Sequence, residues 1–349
     1  MKKSIFLLSL FAFCLQLFAS WTPPSYVETP SLPGATLRVV GANVRNYFYD
    51  FNASNCDCYN AADQQACFNA KTSNMAKVFV YLQADIVALC EIQQDNEILE
   101  FLIRAMNDEY GENVYAYVMD NAKYNNPTAG NYGYIKCGYI YRKDKVTKGT
   151  WYSTNPNDGS FRNRMIVMCF TEKATKAKFV LSMNHFQAQT SDPSGEKRNE
   201  QASTLISALK TTNYGDPDIL ILGDLNAELG ETCIDMLVTA GYADQMYKYD
   251  KKAYTYYFKG NTMIDHAMAN STMEKQIVGA YPFHVNTASA PVKFSDHDCY
   301  VVGLKLDDIS AIEEVEAAPE SKAKLIYING QLYIRQGEHL FDMMGRKVE

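Results

Sequence analysis

The chain has 349 residues, 47% of them apolar and 21% charged, which excludes a disordered polyelectrolyte and suits one large domain, or a domain with appendages. A formal charge of −7 argues against a broad basic groove for nucleic acid, although a local basic patch stays open. The 25 tyrosines fit a strand-rich fold.

Residues 1–20 carry the marks of a secretory signal. Lys2 and Lys3 form the basic end, Ile5 to Phe18 is an apolar stretch too short for a membrane span, and Ala19-Ser20 is a small-residue exit. The expectation is a secreted protein, whether periplasmic, cell-surface or extracellular. Its charge deepens from −7 to −9 on cleavage, and eight cysteines remain. An even count in an exported chain permits disulfides, with Cys56, Cys58 and Cys67 in a polar insertion the foremost candidates. Cys90, Cys137, Cys169 and Cys299 lie in apolar runs and read as core residues.

Residues 36–43 read as a strand and 55–69 as a loop. Thr72 is placed to cap a helix carrying Met75, Val78, Phe79 and Leu82. Strand 85–90 precedes a helix with Ile98, Leu99, Leu102, Ile103 and Met106, which Gly111 stops. Strands are predicted near 114–119, 137–142, 164–170 and 178–184, and a helix with Leu205, Ile206 and Leu209 lies within 195–213. Further strands are predicted at 218–223, 254–258, 262–269 and 299–306. Helices alternating with strands early, and strands dominating later, predict two packed sheets with helices outside. The domain spans 21–310, and residues 311–324 read as an acidic linker. Beyond it, Asn329-Gly330 between alternating apolar runs signals a β-hairpin in a small tail module, 325–349.

Apolar runs in this chain repeatedly end on a polar group: Asn43 in GANVRNYF, Glu91 in DIVALCEI, His185 in LSMNHFQAQ, Asp224 and Asn226 in DILILGDLNAE, Asp265 in MIDHAM, and Asp296-His297 in FSDHD. Strands that stop this way aim their last groups into a shared cleft. Phosphodiester hydrolysis needs the anion neutralised, a water activated and the leaving oxygen stabilised. Magnesium-type cations take oxygen ligands, so Glu91 and Asp296 are metal candidates with Asn43 beside them. Asp224 and Asn226, on one side if the strand continues, would hold a water and a phosphate oxygen. His297 would be the general acid or base, its tautomer set by a carboxylate such as Asp265. His185 would donate to the phosphate or the leaving group, and Arg162 or Arg164 would offer a planar fork to phosphate oxygens. Singly, each has a plainer reading: GDLNAE as an Asx-turn, Glu91 as a surface carboxylate, His185 as a structural histidine, SDHD as a loop cap and the arginines as a solvated edge. Their order and strand-end placement favour a site.

The order N…E…H…GDxN…D…SDH resembles the endonuclease/exonuclease/phosphatase superfamily, the fold of DNase I and the AP endonucleases, over about residues 36–306. More narrowly, the chain is similar to secreted bacterial nucleases of the DNase I-like branch. VGANVRNYF resembles their ASFNVxNYF, GYIKCGYIYRKDKV (133–146) their DAIKVGLIYKPDKV, and NHFQAQ their NHFKSK. IDHAM, FHVN and FSDHDC resemble their DHAL, HIN and SSDHDP. The resemblance implies an α/β fold, a four-layer α/β/β/α sandwich, and hydrolysis with Mg2+, Mn2+ or Ca2+ being alternatives. By position it implies Glu91 and Asp296 at the metal, Asn43 beside them, Asp224 and Asn226 on water and phosphate, and an Asp265–His297 pair. His185 matches the second histidine of DNase I-like nucleases. The chain departs from the pattern at NHFQAQ, which lacks the basic residue, at RNRM in place of RPP, and at Cys299 in place of proline. The expected activity is that of a monomeric endonuclease cleaving DNA, or RNA, with low sequence specificity. Within the same fold the alternatives are a sphingomyelinase-like phospholipase, with Tyr247 to Phe258 as its candidate membrane contact, and a small-phosphoester phosphatase. A binding module that has lost its chemistry is the non-enzymatic alternative.

Overall fold

Successive residues of a strand face opposite sides of its sheet, so the parity of the apolar positions fixes which face each strand buries. The computed structural model describes residues 21–95, 97–120, 135–154, 164–211, 216–257, 260–286, 291–306, 324–328, 331–336, 339–342 and 346–348. The signal-like segment 1–20, Arg162, and linker residues 311–323 lie outside these. The chain divides into two compact units, Met1–Asp307 and Asp308–Glu349.

In the first unit one sheet contains β1 (Leu37–Tyr47), β2 (Ile86–Gln93), β3 (Tyr115–Met119), β4 (Ile135–Arg142), β11 (Ile277–Phe283) and β12 (Cys299–Leu304), in spatial order β11-β12-β1-β2-β4-β3. The other contains β5 (Val146–Ser153), β6 (Met165–Glu172), β7 (Lys178–His185), β8 (Ile219–Asp224), β9 (Ala243–Asp244) and β10 (Asp265–Ala269), in order β5-β6-β7-β8-β10-β9. At the centre of each sheet two strands run parallel, β1 with β2 and β7 with β8. Helices α1 (Gln64–Tyr81) and α2 (Glu97–Tyr110) pack Met75, Phe79, Leu99 and Leu102 on Val40, Ala42, Val87 and Leu89 of the first sheet. Helices α3 (Glu196–Thr211) and α4 (Thr232–Thr239) pack Leu205, Ile234 and Leu237 on Val167, Val180 and Ile221 of the second. Residues of opposite parity, Leu37, Val39, Ile86 and Ala88 against Phe179, Leu181, Leu220 and Leu222, fill the space between the sheets. The result is the α/β/β/α sandwich expected from sequence.

In the second unit β13 (Lys324–Ile328) and β14 (Gln331–Gln336) form an antiparallel hairpin, and β15 (His339–Phe341) adds a third strand that the sequence pattern did not announce. Its Asn-Gly turn lies outside the described residues.

Several local expectations change. Helix α1 begins eight residues before Thr72, at an Asp63 cap whose carboxylate accepts from the Ala66 amide at 2.9 Å. Thr72 instead sits inside the helix, its hydroxyl bonded to the Phe68 carbonyl and the Tyr47 hydroxyl. Buried Phe68, stacked on Tyr47, extends the apolar face back into what read as a polar loop. The insertion holds one disulfide, Cys58–Cys67, while Cys56 is unbonded and buried. Residues 254–257, within a predicted strand, make only isolated bridges at Tyr256, and the segment opening at Tyr247 starts in a short helix, α5 (Gln245–Tyr249). No helix among the described residues is long and apolar enough to cross a membrane.

Candidate active site

The parity that fills the inter-sheet core also delivers the polar groups. Asn43 follows Leu37 and Val39 on β1, His185 follows Leu181 and Met183 on β7, Asp224 follows Leu220 and Leu222 on β8, and Asp265 precedes Ala267 and Ala269 on β10. Asn43 lies just before a register shift in β1 and the other three at strand ends, all on the face toward the other sheet. His185 and Asp265 pair in register with Asp224 from either side.

Glu91 breaks the rule. Alternation from Val87 and Leu89 would send it to the helix-covered face. The register shifts between Leu89 and Ile92, both of which pack in the helix-side core, so two residues stand between them instead of the usual one. Glu91 takes φ 59°, a left-handed backbone rare outside glycine and asparagine, and this turns its carboxylate into the cleft.

Asn43 ties the two sheets together. Its Nδ2 donates to Glu91 Oε1 and to Asp224 Oδ2, both at 2.9 Å, while its Oδ1 accepts from the Arg45 amide at 2.9 Å. The amide nitrogen thereby bridges the two acids, and the amide oxygen is engaged by the backbone. Asp224 Oδ1 accepts from the Asn226 amide at 2.9 Å, and Asn226 has φ 48°. Strand geometry therefore does not persist to Asn226. The pair forms an Asx-turn, yet both side chains still line the cleft.

His297 Nδ1 lies 2.7 Å from Asp265 Oδ2, and its Nε2 lies 3.8 Å from Asp224 Oδ2. His185 Nε2 sits 3.8 Å from the same Asp224 oxygen and 3.6 Å from Glu91 Oε1, with its Nδ1 buried and unpartnered among the described residues. Asp296 lines the cleft with Glu91, but neither grouping of converging metal-capable atoms includes it: one is Glu91, His185 and Asp224, the other Asp224, Asp265 and His297. Arg164 also lines the cleft, and its carbonyl accepts from the His185 amide at 2.8 Å.

Burial pushes the Asp224 carboxyl above its ordinary range, aided by Asp265 and Glu91 and opposed by His297 and the Asn43 amide. Burial alone would lower His297, but Asp265 and Asp224 outweigh it and hold the imidazole high. His185 is pulled well below the ordinary imidazole value, first by burial, then by Arg164 and His297. The acids thus crowd together with little cationic relief, and Arg164 is the sole lysine or arginine among the described lining residues. Converging carboxylate oxygens short of counter-charge suit a hard divalent cation.

The surroundings were not legible as functional. Asn286, from FHVN, donates Nδ2 to the His297 carbonyl at 2.6 Å and accepts from the Phe294 amide, fixing the SDHD loop. Ser295 Oγ donates to the Asn43 carbonyl at 2.7 Å. Tyr300 crosses over Gly41, where an added Cβ would fall 2.2 Å from its ring, and its hydroxyl accepts from the Gly223 amide just before Asp224. Tyr256 tilts against the His297 ring at 4.7 Å. A cleft of about 700 Å³ opens over the assembly, lined further by Gln187, Gln189, Thr190 and Thr262.

Residues 42–297 match the model of the Endonuclease/Exonuclease/phosphatase family. No curated protein matches the chain. Among solved structures, the catalytic domain of human nocturnin with bound sulfate anion is similar at TM-score 0.57 and 14% identity, over 80% of this chain and 97% of that one. An endonuclease/exonuclease/phosphatase from Bacteroides vulgatus gives 0.54 and 17%, over 78% and 99%. The mannosyl-6-phosphatase of Bacteroides thetaiotaomicron VPI-5482 gives 0.51 and 19%, over 78% and 100%. At these identities the likeness is one of fold.

Proposed function

We propose that this chain, which belongs to the Endonuclease/Exonuclease/phosphatase family, is an exported endonuclease that hydrolyses phosphodiester bonds of DNA with little sequence preference. Members of the family are divalent-metal-dependent hydrolases of phosphoester bonds. The observation that carries the finer reading is the pair of imidazoles, each with Nε2 3.8 Å from the same Asp224 oxygen. An alkyl phosphoester has a poor alkoxide leaving group, so cleavage of a diester gains from one group that takes a proton and another that supplies a hydrogen bond.

Glu91 and Asp224 would hold the cation, with Asp296 lining the same cleft; when bound, the ion neutralises phosphate charge and stabilises the leaving oxygen. Asp224 and Asn226 orient the attacking water and a phosphate oxygen. His297, which Asp265 and Asp224 hold in its charged form, donates from Nε2 toward the leaving oxygen, because Asp265 engages Nδ1 and fixes the ring's orientation. His185, held neutral by burial, takes the water's proton at Nε2. Arg164 binds a flanking phosphate. Such contacts position a backbone without reading bases, which supports low specificity. The Cys58–Cys67 disulfide supports export to an oxidising compartment.

A second reading has an observation of its own. Apart from Arg164 and Glu228 the catalytic cluster is edged by neutral donors and acceptors, among them Gln187, Gln189, Thr190 and Thr262, which suit a small phosphoester better than a long anionic backbone. For the lipid reading, the segment opening at Tyr247 begins in α5 and then turns. Nicking of supercoiled plasmid in Mg2+ or Mn2+, inhibited by EDTA and run beside sugar phosphates and sphingomyelin, decides among them. Turnover of sugar phosphates with intact plasmid would overturn the nuclease.

A further inference from the structure

The disulfide-closed insertion ends against the turn that follows Asn43. Arg45 and Asn46 both have left-handed backbones, φ 46° and 48°, an uncommon pair of consecutive non-glycine residues. Such a turn persists only where its surroundings over-determine it. Asp57, next to Cys58, places Oδ1 at 3.0 Å from Arg45 Nε and Oδ2 at 2.7 Å from Lys71 Nζ. Lys71 Nζ also donates to the Arg45 carbonyl at 2.8 Å, and the Asp57 amide donates to the Asn46 carbonyl at 3.4 Å. Lys71 projects from α1 and is 6% exposed, so its ammonium finds its partners in this turn rather than in solvent. From the other side of the turn, the Asn46 amide donates to Glu91 Oε2 at 3.0 Å and the Arg45 amide to Asn43 Oδ1. Both oxygens of the Glu91 carboxylate are thus held by donors set by this turn or by Asn43.

We infer that Lys71 and Asp57 are positioning residues for metal binding: they lock the Arg45–Asn46 turn that aims Glu91, and the Cys58–Cys67 disulfide keeps Asp57 in place. Neither residue touches substrate or the cation. Their effect reaches the site through one backbone amide, and cutting the disulfide releases the same lock. The inference rests on Glu91 being a ligand of the catalytic cation, as in the proposed function.

The test is Mn2+ titration of the metal-free full chain, without substrate, by calorimetry or by the loss of free-ion spin-resonance signal. Partners that orient metal ligands are worth roughly ten- to a hundredfold in affinity. Lys71→Met is expected to raise the Mn2+ dissociation constant at least tenfold, and Lys71→Arg, which keeps a donor, to stay near wild type. Wild-type protein reduced with a phosphine should move with Lys71→Met, because the six other described cysteines are unbonded. Apparent KM for metal should rise, with kcat recovering at saturating Mn2+. A fall in melting temperature with unchanged Mn2+ affinity would make Lys71 merely structural and overturn the inference. Should Lys71→Met fail to fold, Asp57→Asn is read by the same measure. Glu91→Gln separates the levels: if it binds Mn2+ like wild type, the assigned metal site is wrong. If it loses Mn2+ while Lys71→Met does not, only the positioning role fails.

Discussion

Replacing Asp224 by asparagine removes a charge from the centre of the site while keeping its shape. Both carboxylate oxygens accept from N–H donors, Oδ2 from Asn43 and Oδ1 from the Asn226 amide. An asparagine amide satisfies only one of them, and either orientation sets NH2 against a second donor, a loss of about 1–3 kcal/mol for a buried group. Against that, the wild-type acid is destabilised by burial and by Asp265 and Glu91, and the substitution relieves this. The two effects oppose, so folding stability should change by less than about 2 kcal/mol, a melting shift of only several degrees. Catalysis has no such compensation. The interaction of Asp224 with a charged His297, 3.8 Å away, is about 4 kcal/mol at an effective dielectric near 20. Losing that hold on the charged donor at Nε2 corresponds to roughly a thousandfold in rate. Plasmid nicking by wild type and Asp224→Asn, at saturating Mg2+ and beside melting curves, measures both. Activity within tenfold of wild type would refute the assigned role, and loss of activity together with collapse of the fold would make Asp224 structural.

His297→Ala and Asp265→Asn should each cost on the order of a hundred- to ten-thousandfold in kcat, and the double variant little more than the worse single one; additive losses in a nicking assay would break the pairing. Gly41→Ala must displace the Tyr300 ring and should destabilise the fold by roughly 1–3 kcal/mol, read by urea unfolding, whereas a neutral effect would contradict the close approach. Buried His266 faces away from the cleft, with Nδ1 2.6 Å from Asp244. Burial alone would lower it, but Asp244 outweighs that and raises it, so its stabilising charge is fully present below the unfolded value of about 6.5 and is lost as pH rises through the higher folded value. Melting temperatures across that window should fall more steeply for wild type than for His266→Gln, and parallel curves would deny the linkage.

Much of the site was legible because the regular pairing of the inter-sheet strands in this chain stops or starts at an inward polar position. Asn43, His185, Asp224 and Asp265 share parity with the apolar residues preceding or following them, so the sequence determines both the run and the group at its end. The sandwich was legible for the same reason, as alternation and helical spacing are local. Glu91 was found by its place after a strand, but alternation alone sends it to the wrong face. What brings it back is a bulge with φ 59°, and that conformation has no side-chain signature. Likewise GDLNAE spells an Asx-turn as readily as a strand, and only the pairing of β8 between β7 and β10 decides that Asp224 stands between His185 and Asp265. The direction of the Asn43 amide, the turn at Arg45–Asn46 and the grip of Lys71 and Asp57 on it depend on residues far apart in the chain. Composition and periodicity specify which face of an element is buried. Which buried polar groups meet across two sheets, and which oxygen of each faces the cleft, is settled by long-range pairing and by the hydrogen bonds that every buried donor requires.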